Sequence, residues 1–207
     1  MENPWNQIDL DDYERHMSLD SVRQLQVLDE IMADQFERYP VHTAMVFGIA
    51  GGNGLDQVKP DRLDRVYGVD INGDYLNACV RRYPGLKGVF VPIQCDLQGD
   101  RLELPRAELV IANLFIEYVG YANFQRGVRA AVPEWVSCVI QVNTDEGFVS
   151  DSPYLHVFDR LEEVHREIEQ EGLTEALAEI GYRPVYQRSH PLPNGKALLR
   201  LDFQRTL

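Results

Sequence analysis

The chain has 207 residues, 44% hydrophobic and 26% charged, the size and balance of one globular domain with a sizeable core. Its formal net charge of -13 repels phosphate backbones and anionic lipid and forgoes the counterion release behind non-specific nucleic-acid binding, so neither nucleic acid nor membrane is an expected partner. Three scattered cysteines without a CxxC pair exclude a disulfide framework and a zinc site. No stretch reaches the roughly 20 apolar residues of a membrane span, and the acidic opening MENPWNQIDLDDYE is no signal peptide, so a cytoplasmic protein is expected.

The stretch to about Asp12 reads as irregular. Ser18 is then placed to cap a helix, with Met17 and Val22 as a hydrophobic staple across it. Val22, Leu25, Leu28, Met32 and Phe36 recur at helical spacing until Tyr39-Pro40 ends the run. Residues 1–40 are thus expected to form a helical lid segment ahead of a single globular unit, 41–207.

Beyond it the chain alternates. Apolar, β-branched runs at 44–49, 66–70, 88–93, 109–113 and 136–142 read as strands, with helices at 54–58, 72–83, after Asp100 and at 121–131. Such alternation predicts βαβ units, a buried parallel sheet and helices on both faces. A charged helix or helix pair is expected over 158–180, with Gly181 as its stop. Strands at 184–189 and 196–203 follow, joined through Asn194-Gly195, a strong hairpin signal. The predicted fold is α/β: a doubly wound, mostly parallel seven-stranded sheet closed by a C-terminal antiparallel hairpin.

The first strand runs into MVFGIAGGNGL. Glycines there let the backbone turn sharply and approach a ligand, and a following helix would add free N–H groups. A dinucleotide fingerprint needs glycines at i, i+2 and i+5; from Gly48 those positions hold Ala50 and Asn53, and from Gly52 they hold Gly54 and Gln57. The spacing that fits is Ala50-Gly51-Gly52-Asn53-Gly54, which excludes a nicotinamide-dependent oxidoreductase.

Asp70 closes the second strand in VYGVDIN, where a carboxylate accepts ribose hydroxyls, or alternatively caps the next helix. Asp96 follows the third strand in VPIQCDLQ, placed to accept from a purine exocyclic amine or to stand as a plain turn residue. In ELVIANLFIEYVG, strand four ends at Asn113, which would present a carbonyl oxygen, with Glu117 and Tyr118 either facing substrate or packing structurally.

These four motifs, in this order from about Thr43 to Phe203, resemble class I S-adenosylmethionine-dependent methyltransferases. The resemblance implies that Ala50, Gly51, Gly52, Asn53 and Gly54 line the methionine part of the cofactor, with Gly48 and Ile49 also among the cofactor-binding residues. It puts Asp70 and Ile71 on the ribose, Asp96 and Leu97 on adenine, and Asn113 and Leu114 at the methionine end. S-adenosylmethionine would be the cofactor and S-adenosylhomocysteine the product, with no metal. Two positions depart: the family commonly carries an acid at Gly48 and a glycine at Ala50. Loss of that acid removes a partner for the cofactor ammonium, for which Tyr13, His16 and Glu117 are the substitutes considered. The tract DDYERHM is similar to the lid of some small methyltransferases, which would turn Tyr13 and His16 toward the cofactor.

The acceptor is expected to be a small molecule, methylated on oxygen or nitrogen. Asn113-Leu114-Phe115-Ile116 lacks the Asn/Asp-Pro-Pro-Tyr of amino methyltransferases acting on DNA or protein. Glu117, Tyr118 and His16 are the candidate catalytic residues, with His156 a further candidate base. His42, His165 and His190 read as structural, and Trp5, Tyr13, Tyr118, Tyr121 and Tyr154 as possible pocket aromatics. A cofactor-binding sensor or subunit without turnover is the alternative function.

Overall fold

In the computed structural model, which describes residues 3–142 and 155–206, the element order begins with two helices, α1 (Leu10–Ser18) and α2 (Gln24–Arg38). The Asp9 carboxylate caps α1, accepting from Asp11 N at 2.9 Å and Asp12 N at 3.3 Å. Acids in the first turn and Arg15 and His16 in the last then complement the helix dipole. Ser18 is therefore the last residue of a helix rather than the cap of the next one, its hydroxyl donating to Arg15 O. The chain turns through Arg23 at φ 52° into α2; Met17 and Val22 are both buried, but with Ser18 inside α1 they do not staple a cap there.

Seven strands form one sheet: β1 (Thr43–Phe47), β2 (Arg65–Asp70), β3 (Phe90–Gln94), β4 (Leu109–Asn113), β5 (Trp135–Val142), β6 (Tyr182–Pro191) and β7 (Ala197–Arg205), in the order β3-β2-β1-β4-β5-β7-β6. β1 to β5 run parallel, β7 lies antiparallel on β5, and β6 pairs antiparallel with β7. The remaining helices are α3 (Gly73–Arg82), α4 (Ile116–Ala131) and α5 (Gln170–Ala178). Met32 and Phe36 of α2 and Leu76 and Cys79 of α3 pack with Val46, Val66 and Ile111 on one face of the sheet. Phe124 and Val128 of α4 and Leu173 and Leu177 of α5 pack with Phe47, Val110 and Phe203 on the other. The doubly wound architecture and terminal hairpin are those the alternation predicts.

Local departures have local causes. After the glycine turn there is only a single 3-10 turn, Leu55–Gln57, because Pro60 follows within a few residues and Gly54 sits at φ 83° against Met32 of α2. No helix forms after Asp100, where Pro105 interrupts the chain. α4 starts five residues earlier than predicted and breaks at Gly120 (φ 74°), where a Cβ would meet the Arg166 guanidinium at 2.5 Å. The long helix expected over 158–180 is a 3-10 run, Leu155–Glu163, and then α5; the segment between them is held by Arg166 N donating to Glu117 O at 2.7 Å.

A buried polar chain links the outer hairpin to the centre of the sheet. Asp202 accepts from Arg200 Nε (2.9 Å), Arg200 Nη2 (2.7 Å), Tyr39 OH (2.7 Å) and Ser137 Oγ (2.5 Å). Gln35 Nε2 donates to Ser137 Oγ and to Asn113 Oδ1, and Asn113 Nδ2 donates back to Gln35 Oε1. Among the described residues no helix is long and apolar enough to cross a membrane.

Candidate functional site

At the carboxyl end of β1 the chain swings toward β2, with Gly48 N and Ile49 N both donating to Val69 O. At Gly48 (φ 68°) the turn and a close approach coincide: a Cβ would lie 2.5 Å from Phe115 Cδ2. Ala50 adopts φ 47°, a left-handed conformation costing a non-glycine residue roughly 1–2 kcal/mol. It is held there by Ala50 N donating to Asp70 Oδ2 at 2.9 Å.

Asp70 is buried, and its other oxygen accepts from Asn72 N at 2.9 Å. Burial raises its pKa against the opposing pull of the backbone N–H groups of Asn72, Ala50 and Ile71. The cap of α3 is Asn72, whose Oδ1 accepts from Asp74 N and Tyr75 N. Asp70 thus ties the glycine turn to the end of β2 instead of capping the helix.

A cavity of about 70 Å³ opens between these elements. Gly48, Ala50, Asp70, Ile71, Asp96, Leu97, Asn113 and Leu114 line it together with Tyr13 and Tyr118. Leu97 is buried; Asp96 is exposed, with Oδ1 accepting from Gln98 N at 2.8 Å. The Asn113 side-chain amide exchanges two hydrogen bonds with Gln35, which hold it in place at the cavity wall. Ile49, Gly51 and Asn53 face a smaller cavity under α1 and α2 that Gly48 and Ala50 also border, and Gly52 packs on Cys79 and Tyr83.

The N-terminal segment roofs the site. Asn72 Nδ2 donates to Trp5 O, Tyr75 OH donates to Ile8 O, and Arg82 pairs with Glu14. The Trp5 ring meets Tyr118 edge-on at 4.8 Å and Tyr13 at 5.8 Å.

Behind this aromatic wall lies a second cavity of about 60 Å³. Trp5, Tyr13, Leu114 and Tyr118 border both cavities, and Glu117, His16, Gln24, Gln141, Phe158 and His165 line the second alone. Glu117 is 5% exposed; its Oε1 accepts from Gln141 N at 3.1 Å, while its buried Oε2 has no hydrogen-bond partner among the described residues. Burial pushes its pKa up to about 7. Burial, followed by the nearby Lys196 charge, lowers the pKa of His16; burial is also the main cause at His165.

Of the other residues singled out by sequence, His156 is exposed beside Asp159 at 3.4 Å, and neither it nor Tyr121 lines either cavity. Tyr121 OH instead accepts from Glu169 N. His42 and His190 also lie outside both cavities, whereas His165, read as structural, borders the second. Tyr154 lies outside the described residues. Gln24, Gln141 and Phe158 carry no local signature, because Gln141 is an alternation position on β5 and the other two arrive from distant segments.

An S-adenosylmethionine-type ligand fits the larger cavity's chemistry: a buried carboxylate at the end of β2, Ile71 and Leu97 as apolar walls with Asp96 at the edge, and the glycine turn facing Asn113 and Leu114. No family model matches the sequence, and no curated protein matches it. Solved structures do match. A magnesium protoporphyrin IX methyltransferase from Synechocystis PCC 6803 with bound SAM is 12% identical, with a TM-score of 0.73 over 100% of this chain and 98% of that one. The N-methyltransferase NodS from Bradyrhizobium japonicum, in complex with S-adenosyl-l-homocysteine, is 12% identical, with a TM-score of 0.67 and 100% of both chains covered. The cyclase SpnF is 12% identical, with a TM-score of 0.65 over 90% of this chain and 83% of that one. Over nearly its whole length, the chain has the fold of the class I S-adenosylmethionine-dependent methyltransferases.

Proposed function

We propose that the protein is an S-adenosylmethionine-dependent methyltransferase that acts on an oxygen or nitrogen of a small molecule. The observation that carries this is the pair of adjoining cavities sharing the Trp5, Tyr13, Leu114 and Tyr118 wall, one with Asp70 on it and the other with the open Oε2 of Glu117. Asp70 would accept the ribose hydroxyls, Asp96 and Leu97 would hold adenine with Ile71, and Gly48, Ala50 and the Asn113 and Leu114 backbone would border the methionine part. Ile49, Gly51, Gly52 and Asn53 shape the turn that presents them. The sulfonium supplies an electrophilic methyl carbon when bound. Glu117 would take the acceptor's proton, while Tyr118 and His16 wall the reacting space and exclude water. Structural relatives named as methyltransferases of a porphyrin and of geranyl diphosphate support a small-molecule acceptor.

Calorimetric titration with S-adenosylhomocysteine tests the cofactor assignment. The wild type should bind, and Asp70→Ala should lose about a hundredfold, from two hydrogen bonds to a charged group at roughly 1.5 kcal/mol each. No binding by the wild type overturns the reading. A cofactor-binding protein without turnover is the second reading, favoured by Phe115 standing over Gly48 where the family commonly has an acid. Binding without methyl transfer to any small-molecule pool selects it.

A further inference from the structure

The second cavity carries information about the acceptor beyond its being small. Its floor is Glu117, nine-tenths and more buried, with Oε1 satisfied by Gln141 N and Oε2 without a partner among the described residues. A buried carboxyl with an open oxygen is costly unless a ligand completes it. Around it stand the rings of Trp5, Tyr13, Tyr118 and Phe158. Aromatic faces favour a cation and do little for a hydroxyl.

The charges nearby agree. Burial lowers the pKa of both His16 and His165, so near neutral pH they add no positive charge to the cavity. Lys196 acts on those two histidines and is not among the groups that shift Glu117, whose pKa is moved by burial and by backbone hydrogen bonds alone. The net charge of -13 draws cations toward the molecule and repels anions. The volume, about 60 Å³, suits a group of a few heavy atoms.

We infer that this cavity receives the ammonium end of a small aliphatic amine, paired with Glu117 and enclosed by the four rings; the assignment rests on the methyltransferase reading above. In the pair, the ammonium proton passes to Glu117 Oε2. This leaves a neutral amine with a free lone pair and a neutral carboxylic acid, so charge is conserved. Desolvation lowers the cost of that transfer relative to water, so the site both binds the ammonium and frees its lone pair for reaction.

Binding of n-butylamine, n-butanol and butyrate to the S-adenosylhomocysteine-loaded protein, followed by saturation-transfer NMR, tests this without requiring turnover. Butylammonium should bind about tenfold or more tighter than butanol, the scale of one desolvated ion pair with ring contacts. The preference should grow between about pH 5 and about pH 8 as Glu117 ionises. Glu117→Gln, shown folded by unchanged S-adenosylhomocysteine affinity, should lose the preference. The wild-type comparison stands without the variant. Equal binding of amine and alcohol, no binding of the amine, a preference for butyrate, or a preference that survives in E117Q overturns the ammonium assignment and leaves the cofactor reading intact. Failure of the wild type to bind S-adenosylhomocysteine overturns the cofactor reading itself.

Discussion

The Glu117 carboxyl makes a stability prediction independent of any ligand. Its folded pKa of about 7 lies above the ordinary 4.5 because burial disfavours the charged form. A carboxyl raised in this way binds its proton more tightly folded than unfolded. Its contribution is fully present below about pH 4.5 and is lost as pH rises through about 7. The difference between the two values is worth about 3 kcal/mol once the group is ionised, at 1.36 kcal/mol per pH unit. Glu117→Gln keeps an acceptor for Gln141 N and removes the charge, so the variant should match the wild type near pH 5 and exceed it near pH 8 by up to about 3 kcal/mol. For a chain of this size that is a melting-temperature gain of roughly 6–12 °C. Thermal melts of both proteins across this range read it directly. Parallel pH profiles, or a variant less stable at pH 8, would refute an ionisable, desolvated Glu117. The same substitution should abolish proton acceptance, so activity and stability are expected to move in opposite directions.

Two further outcomes follow from the packing. Asp202→Ala leaves the Arg200 guanidinium, 2% exposed, with only Asp34, and should cost about 3–5 kcal/mol; melts that fall by less than about 6 °C would show the network to be dispensable. Gly48→Asp restores the family's acid but drives a Cβ to 2.5 Å from Phe115 at φ 68°, at a cost of about 2–5 kcal/mol from strain and overpacking. Adding Phe115→Ala should recover part of that loss, and strictly additive losses in denaturant titrations would contradict the coupling.

The sheet was legible because its central strands β1 and β4 are buried on both faces and therefore appear as apolar runs, and because Asn194-Gly195 marks the hairpin. Helix boundaries were less legible where short-range competitors decide them. Ser18 does not cap because α1, capped at its start by the Asp9 carboxylate, runs through it, and α2 begins only after Arg23. Gly120 and Pro105 break patterns that periodicity alone would continue. At the site, Asp70 and the glycine turn were legible because they sit at strand ends, where topology fixes position. Gln35 was invisible as a site-supporting residue: its role depends on meeting Asn113, 78 positions later.

The departures at Gly48 and Ala50 have unequal consequences. Ala50 keeps the left-handed turn that a glycine would provide, since Asp70 holds its N–H. Gly48 is different, because the Phe115 ring occupies the direction an acidic side chain would take. Of the three groups considered in its place, Glu117 and His16 line only the second cavity, and Tyr13 alone borders the first. Under the proposed function a phenol would then face the cofactor's ammonium where a carboxylate is customary. Neutral acceptors bind a cation more weakly than a charged one. Under that reading affinity for the cofactor would come mainly from the nucleoside half, from Asp70 and the Ile71 and Leu97 walls. That shift would free Glu117, a buried acid of the second cavity, from serving the cofactor and leave it for the acceptor.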